Sequence, residues 1–227
     1  MRRLSRFDLA SLGLITLIGI FSAIRFNYLP QFIDGYYHLS VANGFTASGG
    51  WVGWDWWSYA PFGRPHFYPP FYHLLLVALQ TQGASGLDAL RITEVVITPL
   101  FFLVLWYVCS RLFNSRFSFF AVLILSSFFS YYSAVSANVP ASFAMIFGFL
   151  AWVFFDRKKA LSAALCLAFS FYTHAAIPWM FFISLLFVAI CDRKRRILSF
   201  KILTISFLLF LPLLLHGLRY ISYLDIK

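Results

Sequence analysis

Charge is scarce in this sequence. Only 11% of its 227 residues are Asp, Glu, Lys or Arg, and the mean hydropathy is +0.80. That is too little polar surface to clothe a water-soluble globule, so an integral membrane protein is implied. Cysteine is nearly absent too. Cys109, Cys166 and Cys191 fall within or beside apolar runs, which argues against disulfides and leaves them as small apolar packing groups. No internal repeat, low-complexity tract or pair of charged, Gly/Pro-broken apolar segments is visible, which disfavours repeat folds and inverted-repeat transporters. Acids are the rarest charge, eight against eighteen Lys and Arg, for a formal +10. Such an excess suggests nucleic acid, yet the basic residues sit in short loops beside apolar runs and form no groove-sized domain. They suit contact with anionic lipid headgroups better. Finally, "MRRLSRF" is a basic front like that of a secretory signal, but the apolar run behind it is long and no small-residue cleavage site follows. The segment is expected to stay as a helix.

What is present in abundance is apolar length. A helix needs about 20 apolar residues to cross roughly 30 Å of hydrocarbon. Seven runs qualify, near 8–28, 91–110, 117–135, 139–155, 160–174, 176–191 and 199–217. Residues 70–82, "PFYHLLLVALQTQ", are apolar but short. If they rest at the surface, thirteen of the eighteen basic residues fall on one side: Arg2, Arg3, Arg6, Arg111, Arg116, those of 156–159 and 192–196, and Lys201. That is the pattern of a cytoplasmic face. The expectation is therefore an all-α polytopic protein of about seven spans and a single domain, residues 1–227. Its N-terminus is inside the cell membrane, and 70–82 is an interfacial helix.

This topology leaves one large segment outside, residues 29–90. "IDGYYH" opens it, placing Asp34 and His38 at i and i+4 on one helix face, able to meet a metal or a phosphate. Asp34 serves equally as an N-cap for a helix starting at Gly35. Trp51, Trp54, Trp56 and Trp57 lie within seven residues and read either as an interfacial aromatic belt or as a stacking platform for a sugar or lipid. All five histidines, His38, His66, His73, His174 and His216, map to the outer half of the chain. Glu94 is either a working intramembrane acid or a favourable charge in a helix's first turn.

The succession of a first span, "DGYYH", a Gly/Trp-rich loop, "YPPFYHLLL" and "RITEVVITPLFFLVLWYVCSRLF" resembles the GT-C glycosyltransferases. These are polytopic enzymes that draw sugars from polyprenyl-phosphate carriers, among them the oligosaccharyltransferase catalytic subunit and the protein mannosyltransferases. The resemblance runs along nearly the whole chain and implies a seven-span module with two interfacial helices in its first outer loop. It makes Asp34 the catalytic base and sets Tyr68, Pro69 and Pro70 at the start of the second interfacial helix. Arg64, Arg91 and Arg219 become cations for the carrier phosphate, and His174 matches a histidine of some relatives. Relatives often carry a second acid in the next outer loop. Here, in "SANVPASFAMIF", Asn138 and Pro140 are present, but Ala141 and Ser142 occupy the acid's place. A divalent metal such as Mg²⁺ or Mn²⁺ thus stays an open question. Many relatives also add spans and an outer soluble domain, so the chain reads as a minimal enzyme, as half of a split one whose protein partner supplies those elements, or as a truncated copy. Two functions follow: transfer of a polyprenyl-linked sugar at the outer face, or a non-catalytic membrane subunit that only binds the lipid carrier. Asp34, His38, Arg64 and His174 are expected to approach one another.

Overall fold

The computed structural model describes residues 4–28, 30, 33–57, 60–137 and 139–224; Asn138 lies outside the described residues. It is all-α, with ten helices and one two-stranded ribbon among those residues. The helices are α1 (Arg6–Ile24), α2 (Ile33–Ala47), α3 (Phe71–Thr81), α4 (Gly86–Leu112), α5 (Ser115–Ser127), α6 (Phe129–Ala137), α7 (Val139–Asp156), α8 (Ala160–Thr173), α9 (Ile177–Cys191) and α10 (Arg196–Arg219). The ribbon pairs β1 (Trp54–Asp55) with β2 (Arg64–Pro65). Four helices, α1, α4, α7 and α10, are long and apolar enough to cross a membrane, five spans if α5 and α6 count as one. Several long apolar helices of this kind fit an integral multi-pass protein.

The ends of these helices follow from local chemistry. Ser5 and Asp8 form a reciprocal capping box at α1, the arrangement that satisfies the first free amides of a helix. Ser85 caps α4 by accepting from the Asp88 amide at 3.1 Å, and Asn114 caps α5 through Phe117 at 2.9 Å. The expected span at 117–135 is interrupted: the helix stops at Ser127 and resumes as α6 at 85°. Beyond the break the sequence turns to Ser and Tyr, "FSYYSAVSA", whose polar groups suit an interface better than hydrocarbon.

Side-chain bridges sort the helix ends into two sets. At one end, Asp8 of α1 accepts from Ser115 Oγ at 2.8 Å and Trp106 Nε1 at 3.2 Å, joining α1 to α5 and α4. Arg157 donates to the Tyr107 hydroxyl at 2.8 Å, and Arg195 meets Asp156 at 3.5 Å. The basic loops are thereby gathered with the start of α1. The opposite end carries α2, the ribbon, α3, the α8–α9 turn and the end of α10.

Apolar side chains gain nothing from leaving lipid, so close packing has to bind the helices. Ala144, Gly148 and Ala151 line one face of α7, and they and Ala163, Ala164 and Ala168 of the adjoining α8 are all buried. Ser170 Oγ donates to the Ala144 carbonyl at 2.7 Å across that contact. A Cβ at Gly148 would overlap the Phe181 ring of α9. Gly148→Ala is therefore expected to cost about 1–3 kcal/mol through overpacking, read as a lowered Tm in detergent; an unchanged Tm would mean that α9 yields freely.

Candidate functional site

The described parts of the first outer segment, residues 33–57 and 60–90, are folded back on the helix ends by glycine turns and the ribbon. Gly63 takes the left-handed conformation (φ 68°) at the tip, where any side chain would strike Trp54 and the Asp55 carbonyl. Trp54 pairs with Pro65 and Asp55 with Arg64; the His66 amide adds a rung to Gly53 O at 2.9 Å. Strand alternation then sends neighbours opposite ways. Trp54 packs on Tyr220 and Tyr223 beyond α10, 5.8 and 5.7 Å between ring centres, while Asp55 turns inward to 1% exposure. His216 of α10 holds the ribbon from below, its Nε2 3.0 Å from the His66 carbonyl, with no room for a side chain at Gly53.

Behind the ribbon the histidines converge. His38 Nδ1 of α2 and His73 Nε2 of α3 share a hydrogen bond at 2.9 Å. The His66 ring stands 5.5 Å from that of His73, and Tyr68 touches His38 at 5.0 Å and His174 at 6.3 Å between ring centres. His38, His66 and His73 are buried, and loss of water holds all three neutral. His38 and His66 are lowered to about 4, each first by burial and then by neighbouring charges: His174 and His66 for His38, while at His66 Asp55 pulls the other way. His73 falls further, through burial and then His38 and His66. The Tyr68 hydroxyl is raised by burial, then by Tyr37 and Asp34. His66 Nε2 and His73 Nδ1 have no protein partner although buried.

In front of this cluster lies a pocket of about 220 Å³, walled by Tyr37, Asp55, Arg64, His66, Phe67 and Tyr68 and closed by Ala175. Phe67 and Ala175 also wall a second cavity of about 260 Å³ that runs between α8, α9 and α10. There the lining is Phe171, Trp179, Phe210, Leu213 and Leu214, almost wholly apolar. A polar chamber and an apolar groove thus lie side by side.

The residues expected to act distribute unevenly. His38, Tyr68 and His174 come together and Arg64 sits at the pocket wall. His174 also ends α8, and its Nδ1 accepts from the Ala176 and Ile177 amides at 3.1 and 3.3 Å, capping α9. Asp34 is exposed and lies inside the first turn of α2, so it is not the N-cap of a helix starting at Gly35; it is close enough to Tyr68 to influence it. Arg91 is engaged elsewhere, bonded to Asp88 at 3.3 Å and the Asn27 carbonyl at 3.4 Å and stacked on Phe26. Arg219 lies over Tyr220. Glu94 does not sit in a first turn, because α4 begins at Gly86 and Asp88 fills that role. It is buried two turns in, next to Tyr72, whose hydroxyl is 2.9 Å from Thr93 Oγ1. Of the tryptophans, Trp51 and Trp56 are exposed and Trp57 packs against Phe45.

Asp55 is the residue that sequence reasoning passed over. A two-residue strand is too short to show alternation, so its inward direction had no sequence signal. Among the described residues, no group of three or more His, Cys, Asp or Glu is arranged to hold a metal ion. Against protein-family models, curated proteins and solved structures, the chain finds no match.

Proposed function

We propose that the protein is a multi-pass membrane glycosyltransferase of the GT-C type, moving a sugar from a polyprenyl-phosphate carrier to an acceptor at the outer face of the cell membrane. The observation that carries this reading is the adjacency of the polar pocket and the apolar groove, which share Phe67 and Ala175 as walls. A lipid-linked sugar has the same order of parts: isoprenoid tail, phosphate, sugar. The tail suits the groove, and Arg64 at the pocket wall suits the phosphate, neutralising the charge that grows on it as the glycosidic bond breaks. A carboxylate of the first outer loop takes the acceptor proton.

In this reading the chain crosses seven times, through α1, α4, α5, α7, α8, α9 and α10, with its N-terminus in the cytoplasm. The gathering of basic loops at one end supports that orientation, and α2 and α3 then rest as interfacial helices.

The test is binding and transfer by the purified protein in lipid nanodiscs. It is expected to bind a polyprenyl phosphate and to transfer sugar from a panel of polyprenyl-phosphate hexoses. Ala175→Trp, which puts a bulky ring into the wall shared by the two cavities, is expected to weaken binding at least about tenfold, or 1.4 kcal/mol. Binding without transfer would favour the non-catalytic carrier-binding subunit, and absence of both would end the reading.

A further inference from the structure

Resting on the transfer reaction proposed above, the geometry points to Asp55, not Asp34, as the group that takes the acceptor's proton. The two carboxylates differ in placement. Asp34 is exposed on the first turn of α2 and does not wall the pocket. Asp55 walls it while being 1% exposed. A carboxylate set this deep, at the edge of apolar helices, is costly unless partnered or used. A partner is at hand in Arg64, directly across the ribbon. Asp55 and Arg64 stand on the same face of the ribbon and wall the same pocket, with His66, Tyr37 and Tyr68.

Its support is also rigid, as a reacting group requires. The ribbon is fixed by its own pairing, by the His66 amide on Gly53 O at 2.9 Å, and by His216 pressed against Gly53 and the His66 carbonyl. The missing acid at Ala141 and Ser142 is then no defect. Ser142 Oγ is spent on the Val135 carbonyl at 2.7 Å, and the carboxylate of the pocket comes from the first loop.

The step balances as follows. An acceptor hydroxyl oxygen forms the bond to the anomeric carbon while the bond from that carbon to the phosphate oxygen breaks. The bonding pair leaves on the polyprenyl phosphate beside Arg64, and the hydroxyl proton passes to the Asp55 carboxylate. His66, held neutral, accepts no proton at that stage and serves to orient.

The deciding experiment compares Asp55→Asn, Asp55→Glu and Asp34→Asn in nanodiscs, measuring transfer from polyprenyl-phosphate hexoses and, separately, binding of a polyprenyl phosphate. Expected for Asp55→Asn is a 10²- to 10⁴-fold fall in kcat with unchanged binding, and partial recovery in Asp55→Glu with a displaced acid limb of the pH profile. Asp34→Asn is expected to keep transfer within a few-fold of the parent. Loss of binding together with transfer in Asp55→Asn would make Asp55 structural and overturn the proposal. So would parental transfer in Asp55→Asn alongside its loss in Asp34→Asn. If the Asn variant fails to fold, Asp55→Glu decides, an unmoved acid limb being fatal. A parent that transfers nothing sinks the glycosyltransferase reading itself and this assignment with it, a result distinct from an active parent indifferent to Asp55.

Discussion

Acidifying the protein from pH 7 to pH 4 is expected to release the 33–80 region from the helix bundle. The tie between α2 and α3 is an imidazole pair at 2.9 Å, which can share one proton but repels two. His38 and His66 titrate near 4 and His73 lower still, in each case first because burial strips water from the charged form. The unfolded segment, whose imidazoles titrate near 6.5, therefore binds protons that the folded one refuses. The stability these rings permit is complete above about pH 6.5 and drains as pH falls toward 4, by about 3 kcal/mol for each of His38 and His66. The surrounding charges do not cancel this. Asp55 favours a protonated His66, Arg64 and His216 oppose it, and Glu94 lies beyond Tyr72. Hydrogen exchange should show α2 and α3 losing protection between pH 6 and 4 while α4, α7 and α8 keep theirs. Full protection of α2 at pH 4 would mean that the cluster accepts protons without opening.

The second large effect is expected at the opposite end, in Asp8→Ala. Asp8 is 3% exposed and accepts from the Ser5 amide at 2.9 Å, the Ser5 and Ser115 hydroxyls at 2.8 Å each, and Trp106 Nε1 at 3.2 Å. Alanine would strand the Trp106 and Ser115 donors and dissolve the α1 cap together. A buried, multiply bonded charge removed in this way costs on the order of 3–5 kcal/mol. Thermal unfolding in detergent should show a large drop in Tm. Asp8→Asn, which keeps one of the two acceptor oxygens, should lose clearly less, and equal losses would show that charge alone matters there.

How far the sequence foretold these features depends on the range of the interaction. The apolar runs near 91–110, 139–155, 160–174 and 176–191 became helices within a few residues, because run length is a local property. "SRFD" at 5–8 carries the capping box openly, whereas Trp106 and Ser115 arrive from about a hundred residues away. The break at Phe128 hid inside a run whose mean hydropathy stayed high; only the shift to "FSYYS" marks it. The histidines were legible as one side of the membrane, because side follows from counting spans. Their contact was not, since it depends on how α2, α3, the ribbon and α10 dock. Asp34 drew attention through its motif and turned out exposed. Asp55 had no motif, and its depth is set by a turn at Gly63 and one strand pair.

The bend after Ser127 has a consequence for the surroundings. At 1.5 Å per residue the thirteen residues of α5 rise about 20 Å, and the fourteen- and fifteen-residue α8 and α9 little more, whereas the 27 residues of α4 reach about 40 Å. Short helices stand at two separate places, α5 against α1 and α4, and α8 and α9 against α7 and α10. A lipid sheet meeting the bundle has to thin beside each or let the long helices tilt, so acyl-chain length bears on how steeply α4 stands and on which membranes hold this molecule most comfortably.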